Sequence, residues 1–102
     1  MRKKMPETEY RASRICRVLG NPTAYQIVKL LLGRKVTPGE IAKEMGISDT
    51  LASVTLRTLR NVDIVRYETK GKEKIYWIKD ELIDKICRIL EKLVIKMRTK
   101  NW

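Results

Sequence analysis

Hydrophobic residues recur along this chain at two spacings, and the switch between them divides it into elements. Ala12, Ile15, Cys16 and Leu19 repeat at helical spacing, which predicts a helix over residues 8–19 with Gly20 as its stop. Asn21-Pro22 restarts a helix, with Asn as N-cap and Pro at the first helical position. Tyr25, Ile27, Val28, Leu30, Leu31 and Leu32 make this second helix apolar on nearly every side, so it is expected at the centre of the core, ending at Gly33-Arg34-Lys35. Thr37-Pro38-Gly39-Glu40 has the form of a capping box and opens a short third helix with Ile41, Ala42 and Met45 inward. Gly46 suits a left-handed turn. Ser48 then caps a fourth helix running to about Asn61, with Ala52, Leu56 and Leu59 as its inward stripe.

Beyond Asn61 the pattern changes. Residues 64–68 and 74–78 are β-branched and aromatic and predict two strands, with residues 69–73 as the turn. Asp80 is expected to cap a last helix reaching about Thr99. That helix carries two apolar stripes: Leu82, Ile86, Ile89 and Leu93; and Ile83, Cys87, Leu90, Val94 and Met97. One stripe can pack on its own domain, and a second at heptad-like spacing needs another surface, for which a second subunit is the expected partner. A wide core-facing stripe on a buried terminal helix would give the same pattern.

Four helices, a hairpin and a fifth helix make a mainly α (α+β) winged helix-turn-helix, a plan that sets one helix in the DNA major groove and a hairpin beside it. A length of 102 residues predicts one domain over 1–102, with a loose basic arm at 1–7 and a C-terminal dimerisation helix at 80–99. A core of this size leaves apolar surface for a partner subunit.

Composition adds the partner. Lys and Arg total 23 against 12 acids, a net charge of +11, and 34% of residues are charged beside 43% hydrophobic ones. That predicts a folded, soluble chain with a polyanion partner, because solubility needs charge but not one sign of it. No apolar run approaches the ~18 residues of a membrane span, and no apolar core follows the basic start, so a cytoplasmic location is expected. Two cysteines are then read as free thiols. The absence of His and Phe with abundant Lys, Arg, Glu and Ile resembles thermophilic, including archaeal, composition. Without His there is no Ser-His or Cys-His pair, and no Gly-rich phosphate loop is present, so no enzyme is expected.

The DNA-reading candidates follow from the helical positions. Ser48 and the start of the fourth helix offer backbone N–H groups to a phosphate. Asp49, Thr50, Ser53, Val54 and Arg57 fall on the face opposite the apolar stripe, and Arg57 suits a guanine or a phosphate. Asp49 would repel phosphate, so it either accepts from cytosine N4 or faces away. Lys70 and Lys72 flank Gly71 at the hairpin tip, with Arg66 and Lys74 on the strands, and are read as a backbone or minor-groove grip.

Across residues 12–95 the chain resembles small arsenic-repressor-type (ArsR) winged-helix regulators. The resemblance rests on Leu19-Gly20-Asn21-Pro22-Thr23 leading into Ile27-Val28-Lys29-Leu30-Leu31, on Pro38-Gly39-Glu40-Ile41-Ala42 with Met45-Gly46-Ile47-Ser48, and on Ala52-Ser53, Leu56, Leu59 and Tyr76. It implies a homodimer joined through its first and last helices, here Ile15, Leu19, Ile83, Cys87, Leu90, Val94 and Met97. Such a dimer would repress by occupying a pseudo-palindromic double-stranded DNA operator until a small-molecule or oxidant inducer releases it. Family members often carry Arg-His where this chain has Val54-Thr55, and Gly where it has Asp63. Val54 can meet a thymine methyl but donates no hydrogen bond. Asp63 can adopt the left-handed conformation.

Metal-sensing relatives use a Cys pair in the third helix or a His/Asp/Glu set on the last. The third helix here has no Cys, and the last has Asp84, Cys87 and Glu91 without His, so no metal and no cofactor are expected. The resemblance puts Cys16 and Cys87 on helices that pack together, within or across subunits, where a redox-responsive disulfide is one reading and two small buried residues the other. Two further functional classes stay open: a basic nucleoid-type protein binding DNA without sequence choice, and a winged-helix interaction module of transcription or replication machinery.

Overall fold

The computed structural model describes residues 3–99, so Met1 and Arg2 of the expected basic arm lie outside the described residues. Five helices and one hairpin follow in the expected order: α1 Glu7–Leu19, α2 Pro22–Leu31, α3 Pro38–Met45, α4 Asp49–Asn61, β1 Val65–Lys70, β2 Glu73–Ile78 and α5 Leu82–Met97.

Local chemistry sets the ends of these elements. The Asn21 side chain accepts from Ala24 N at 3.1 Å. Thr37 Oγ1 accepts from Glu40 N at 3.2 Å while the Glu40 carboxylate accepts from Thr37 N at 3.2 Å, the reciprocal pair of a capping box. Ser48 Oγ accepts from Leu51 N at 3.0 Å. Between α3 and α4, Gly46 has φ 67, which closes the helix-turn-helix corner at no steric cost. Asp63 has φ 63, the one non-glycine residue with positive φ among those described. Asp80 acts one step earlier than a regular N-cap: its carboxylate accepts from Leu82 N at 2.8 Å, and α5 begins at Leu82.

The core is built around α2. Ile27, Val28 and Leu31 are fully enclosed, with Ile41 of α3, Leu56 and Leu59 of α4, and Ile64, Val65 and Tyr76 around them. Each such Leu or Ile contributes roughly 1.5–3 kcal/mol by leaving water. The hairpin is antiparallel with Val65 opposite Ile78, Tyr67 opposite Tyr76 and Lys70 opposite Glu73. Its loop is only two residues, Gly71-Lys72, tighter than the expected 69–73, and Gly71 at φ 61 supplies the positive φ such a loop needs. Val36 pairs with Tyr76 through bonds of 3.0 and 2.8 Å, which pins the wing to the segment entering α3.

The terminal helices depart from expectation. On α1 only Leu19 is buried, with Ile15 and Val18 half-buried, while Ala12 and Cys16 are exposed. Its core-facing stripe is thus rotated by about one residue from the expected one. On α5 only Ile83 and Cys87 are buried. Leu82, Ile86, Ile89, Leu90, Leu93, Val94, Ile95 and Met97 are all exposed, and none of the described α5 residues after Cys87 is buried. Leu19, Ile83 and Cys87, expected at a dimer interface, are therefore consumed by the protomer's own core. The row Leu82, Ile86, Ile89 and Leu93 is uncovered along its whole length, and of the other stripe Leu90, Val94 and Met97 are uncovered as well. No described helix is long and apolar enough to cross a membrane.

Candidate nucleic-acid interface

Helix α4 presents its outer face because its inner one is fully used. Ala52, Thr55, Leu56 and Leu59 are buried. Of the other positions, Asp49, Thr50, Val54 and Arg57 are exposed and Ser53 is half-buried, and Leu51, Thr58, Arg60 and Asn61 are exposed as well. Asp49, Thr50, Ser53, Val54 and Arg57, the positions expected to face DNA, thus lie on the side of α4 away from its buried stripe. Thr55 points inward, and its hydroxyl donates to the Leu51 carbonyl at 2.7 Å. Ser48 is committed to its cap, so the Leu51 N–H is already satisfied and does not face a phosphate. Asp49, the first residue of α4, is exposed at the helix N-terminus, where a carboxylate complements the helix dipole. Its presence has a structural cause whatever it meets on DNA.

The wing residues divide into two groups. Lys70 and Lys72 are exposed at the tip, and Arg66 is exposed on the outer face of β1, none with an ion-pair partner among the described residues. Lys74 lies across from Thr69, on the side of the hairpin that carries Tyr67 and Tyr76, with its ammonium 4.9 Å from the centre of the Tyr67 ring. Arg60, from the last turn of α4, places its guanidinium 4.9 Å from the same ring. Tyr67 also packs on Tyr76, with ring centres 5.3 Å apart. One aromatic ring thus ties α4 to both strands of the wing through two cation–π contacts, each worth about 0.5–1 kcal/mol at partly exposed sites. The sequence reading missed Arg60 and Tyr67. The only local signal was an Arg three residues after Arg57, and its partner is seven residues further on in another element. Lys35 similarly lies 5.0 Å above Trp77 on the opposite face of the hairpin.

Between α4 and β1 lies an open groove of about 840 Å³, lined by Arg60, Asn61, Arg66, Tyr67, Trp77 and Lys79 among others. The groove joins the last turn of α4 to the wing, and its lining mixes the cations Arg60, Arg66 and Lys79 with the carboxylates of Asp63 and Glu68. Asp63 is partly neutralised by Arg11 at 3.6 Å and Lys79 at 3.9 Å.

The thiols are not brought together as a bonded pair. Both are free, with Cys16 exposed and Cys87 fully buried. Burial pushes the Cys87 thiol up, against the lowering pull of Tyr25 and Lys29. A buried thiol held protonated is the opposite of a reactive thiolate, so the geometry gives the redox reading of Cys87 no support. Among the described residues no three Cys, Asp or Glu side chains converge as a metal site would require.

Residues 21–67, from the cap of α2 to the middle of β1, match the family described as bacterial regulatory protein, arsR family. No curated protein gives a significant match. Several solved structures share the fold. The homodimeric winged helix-turn-helix DNA-binding domain of Mb0332 from Mycobacterium bovis, a possible ArsR-family transcriptional regulator, is 21% identical with a TM-score of 0.78, over 95% of this chain and 93% of that one. HlyU from Vibrio cholerae is 20% identical with a TM-score of 0.77, over 87% and 97% of the two chains. The transcriptional repressor BigR from Xylella fastidiosa is 22% identical with a TM-score of 0.72, over 85% and 92%. At these identities the structures speak for the fold alone.

Proposed function

We propose that the chain is a member of the arsR family, whose model matches residues 21–67, and that it is a homodimeric repressor that binds a pseudo-palindromic double-stranded DNA operator in the cytoplasm. The observation that carries this reading is the outer face of α4. Thr50, Val54 and Arg57 are exposed, and Arg57 has no ion-pair partner among the described residues. An unpaired guanidinium on a major-groove helix is suited to the O6 and N7 acceptors of guanine, and Val54 to a thymine methyl. The wing lysines, Lys70 and Lys72, carry no base information and contribute backbone affinity.

Dimerisation is supported by the uncovered row of α5. Eight exposed apolar side chains on one sixteen-residue helix are an unusual load for a monomer, and a second copy is the partner that the heptad-like row Leu82, Ile86, Ile89 and Leu93 suits. Leu90, Val94 and Met97 extend this surface, and Ile15 of α1 lies half-buried at the margin of the core. A two-fold dimer then requires an operator with two-fold symmetry.

The test is selection of binding sites from a random duplex pool at near-physiological salt, followed by sequencing. Enrichment of an inverted repeat is the expected result. Binding that tracks salt alone with no enriched sequence would overturn sequence-specific regulation in favour of a nucleoid-type protein, and absence of DNA binding would favour a protein-interaction module.

A further inference from the structure

Both flanks of α4 are basic, and only one of them is the wing. On the other flank α1 runs beside the C-terminal half of α4. Tyr10, Arg14 and Arg17 stand at i, i+4 and i+7 on one face of α1, and together with Thr58 and Asn61 of α4 they line a groove of about 480 Å³. Neither Arg14 nor Arg17 has an ion-pair partner among the described residues, whereas the neighbouring Arg11 is engaged by Asp63 at 3.6 Å. No carboxylate lines the groove. It is a concave set of donors with two uncompensated guanidinium groups, the chemistry that recognises a phosphodiester.

Asn61 lines both this groove and the wing-side groove, so the two basic rows are separated by about the thickness of one helix. A helix of diameter about 10–12 Å fills a major groove about 12 Å wide, so side chains on its two flanks meet the two phosphate backbones that border the groove. A wing alone would engage one of them. We propose that the α1–α4 groove is a second backbone clamp, in which Arg14 and Arg17 hold phosphates of the DNA strand on the side of α4 away from the wing. This inference rests on α4 being the DNA-reading helix and adds a partner-contacting surface to it.

The experiment is a titration of the full chain against a fluorescent random-sequence duplex at several salt concentrations. Wild type is compared with Arg14→Gln/Arg17→Gln, with Lys70→Gln/Lys72→Gln at the wing tip, and with Lys85→Gln/Lys92→Gln on α5, which removes the same charge elsewhere. Circular dichroism melting checks that each variant is folded. If the arginine double variant melts early, the two single variants are read in its place. The dependence of log K on log salt is expected to lose about 0.9 per phosphate contact, so about 1.8 for the arginine pair. The α5 control should keep the wild-type slope. A slope that falls for the wing variant but not for the arginine variant overturns the clamp and leaves the α4 reading standing. Loss of inorganic pyrophosphate binding by calorimetry in the arginine variant, with its DNA slope unchanged, assigns the groove to a free anion and also overturns the clamp. A wild type that binds no duplex removes both readings.

Discussion

The Tyr25 hydroxyl donates to the Glu91 carboxylate at 2.5 Å, joining α2 to the second half of α5. Lys29, one turn further along α2, donates to the other carboxylate oxygen at 3.0 Å. Beyond Cys87 none of the described α5 residues is buried, and this three-residue cluster is a polar link between α2 and the exposed half of the helix. That half carries the surface proposed for the partner subunit.

Acid should weaken this clamp. The Lys29 ammonium, and then the Tyr25 hydroxyl, hold the Glu91 carboxyl below the usual carboxylate range. A group with a depressed folded pKa contributes stability above its unfolded value and loses it as pH falls through the folded one. The melting temperature of Glu91→Gln is therefore expected to lie below wild type at pH 7 and to converge on it as pH falls below about 4.3. Melting curves that remain parallel across that range would show that the clamp is energetically silent.

Arg57 and Lys72 should fail in different ways. Arg57→Ala is expected to weaken binding to the selected operator by about 1–3 kcal/mol and to relax sequence preference at the base it meets. Lys72→Ala should weaken every duplex about equally and lower the salt slope by about 1. Competition titrations with operator and scrambled duplexes measure both. A uniform loss in both variants would mean that α4 does not read bases.

The row left bare on α5 should set the oligomeric state. Ile89, 66% exposed, can accept Asp without disturbing the protomer core. Sedimentation equilibrium of Ile89→Asp is expected to give a folded monomer where wild type gives a dimer. A dimer of undiminished affinity would place the interface elsewhere.

The two thiols should differ in reactivity. An aromatic disulfide reagent is expected to modify Cys16 rapidly and Cys87 only on unfolding, because Cys87 has no exposed surface and a raised thiol pKa. Counting fast and slow equivalents with and without denaturant decides it, and two fast equivalents would revive an oxidant-sensing role.

The middle of the α4–wing contact should depend on the ring, not the hydroxyl, of Tyr67. Tyr67→Phe keeps the surface over which Arg60 and Lys74 sit, whereas Tyr67→Leu removes it. The Leu variant is expected to melt lower and bind DNA more weakly than the Phe variant. Equal behaviour would reduce the two cation–π contacts to bystanders.

The helix caps at Asn21, Thr37/Glu40 and Ser48, the left-handed Gly46 and the order of all seven elements were legible from the chain alone, whereas Asp63 was flagged only through the family resemblance. Each cap is a side chain three residues from the backbone group it satisfies, so sequence spacing carries the whole interaction. The outward face of α4 was legible for the same reason, since its buried stripe is continuous. Three other features were decided only by tertiary structure: which stripe of α5 meets the core, how far α1 is rotated, and which cations sit against Tyr67. Helical periodicity gives the angle between two stripes but not the direction from which the rest of the protein approaches. On α5 the core takes Ile83 and Cys87, while Tyr25 and Lys29 of α2, more than sixty residues upstream of Glu91, hold its carboxylate, and Leu82, Ile86, Ile89 and Leu93 are left facing out.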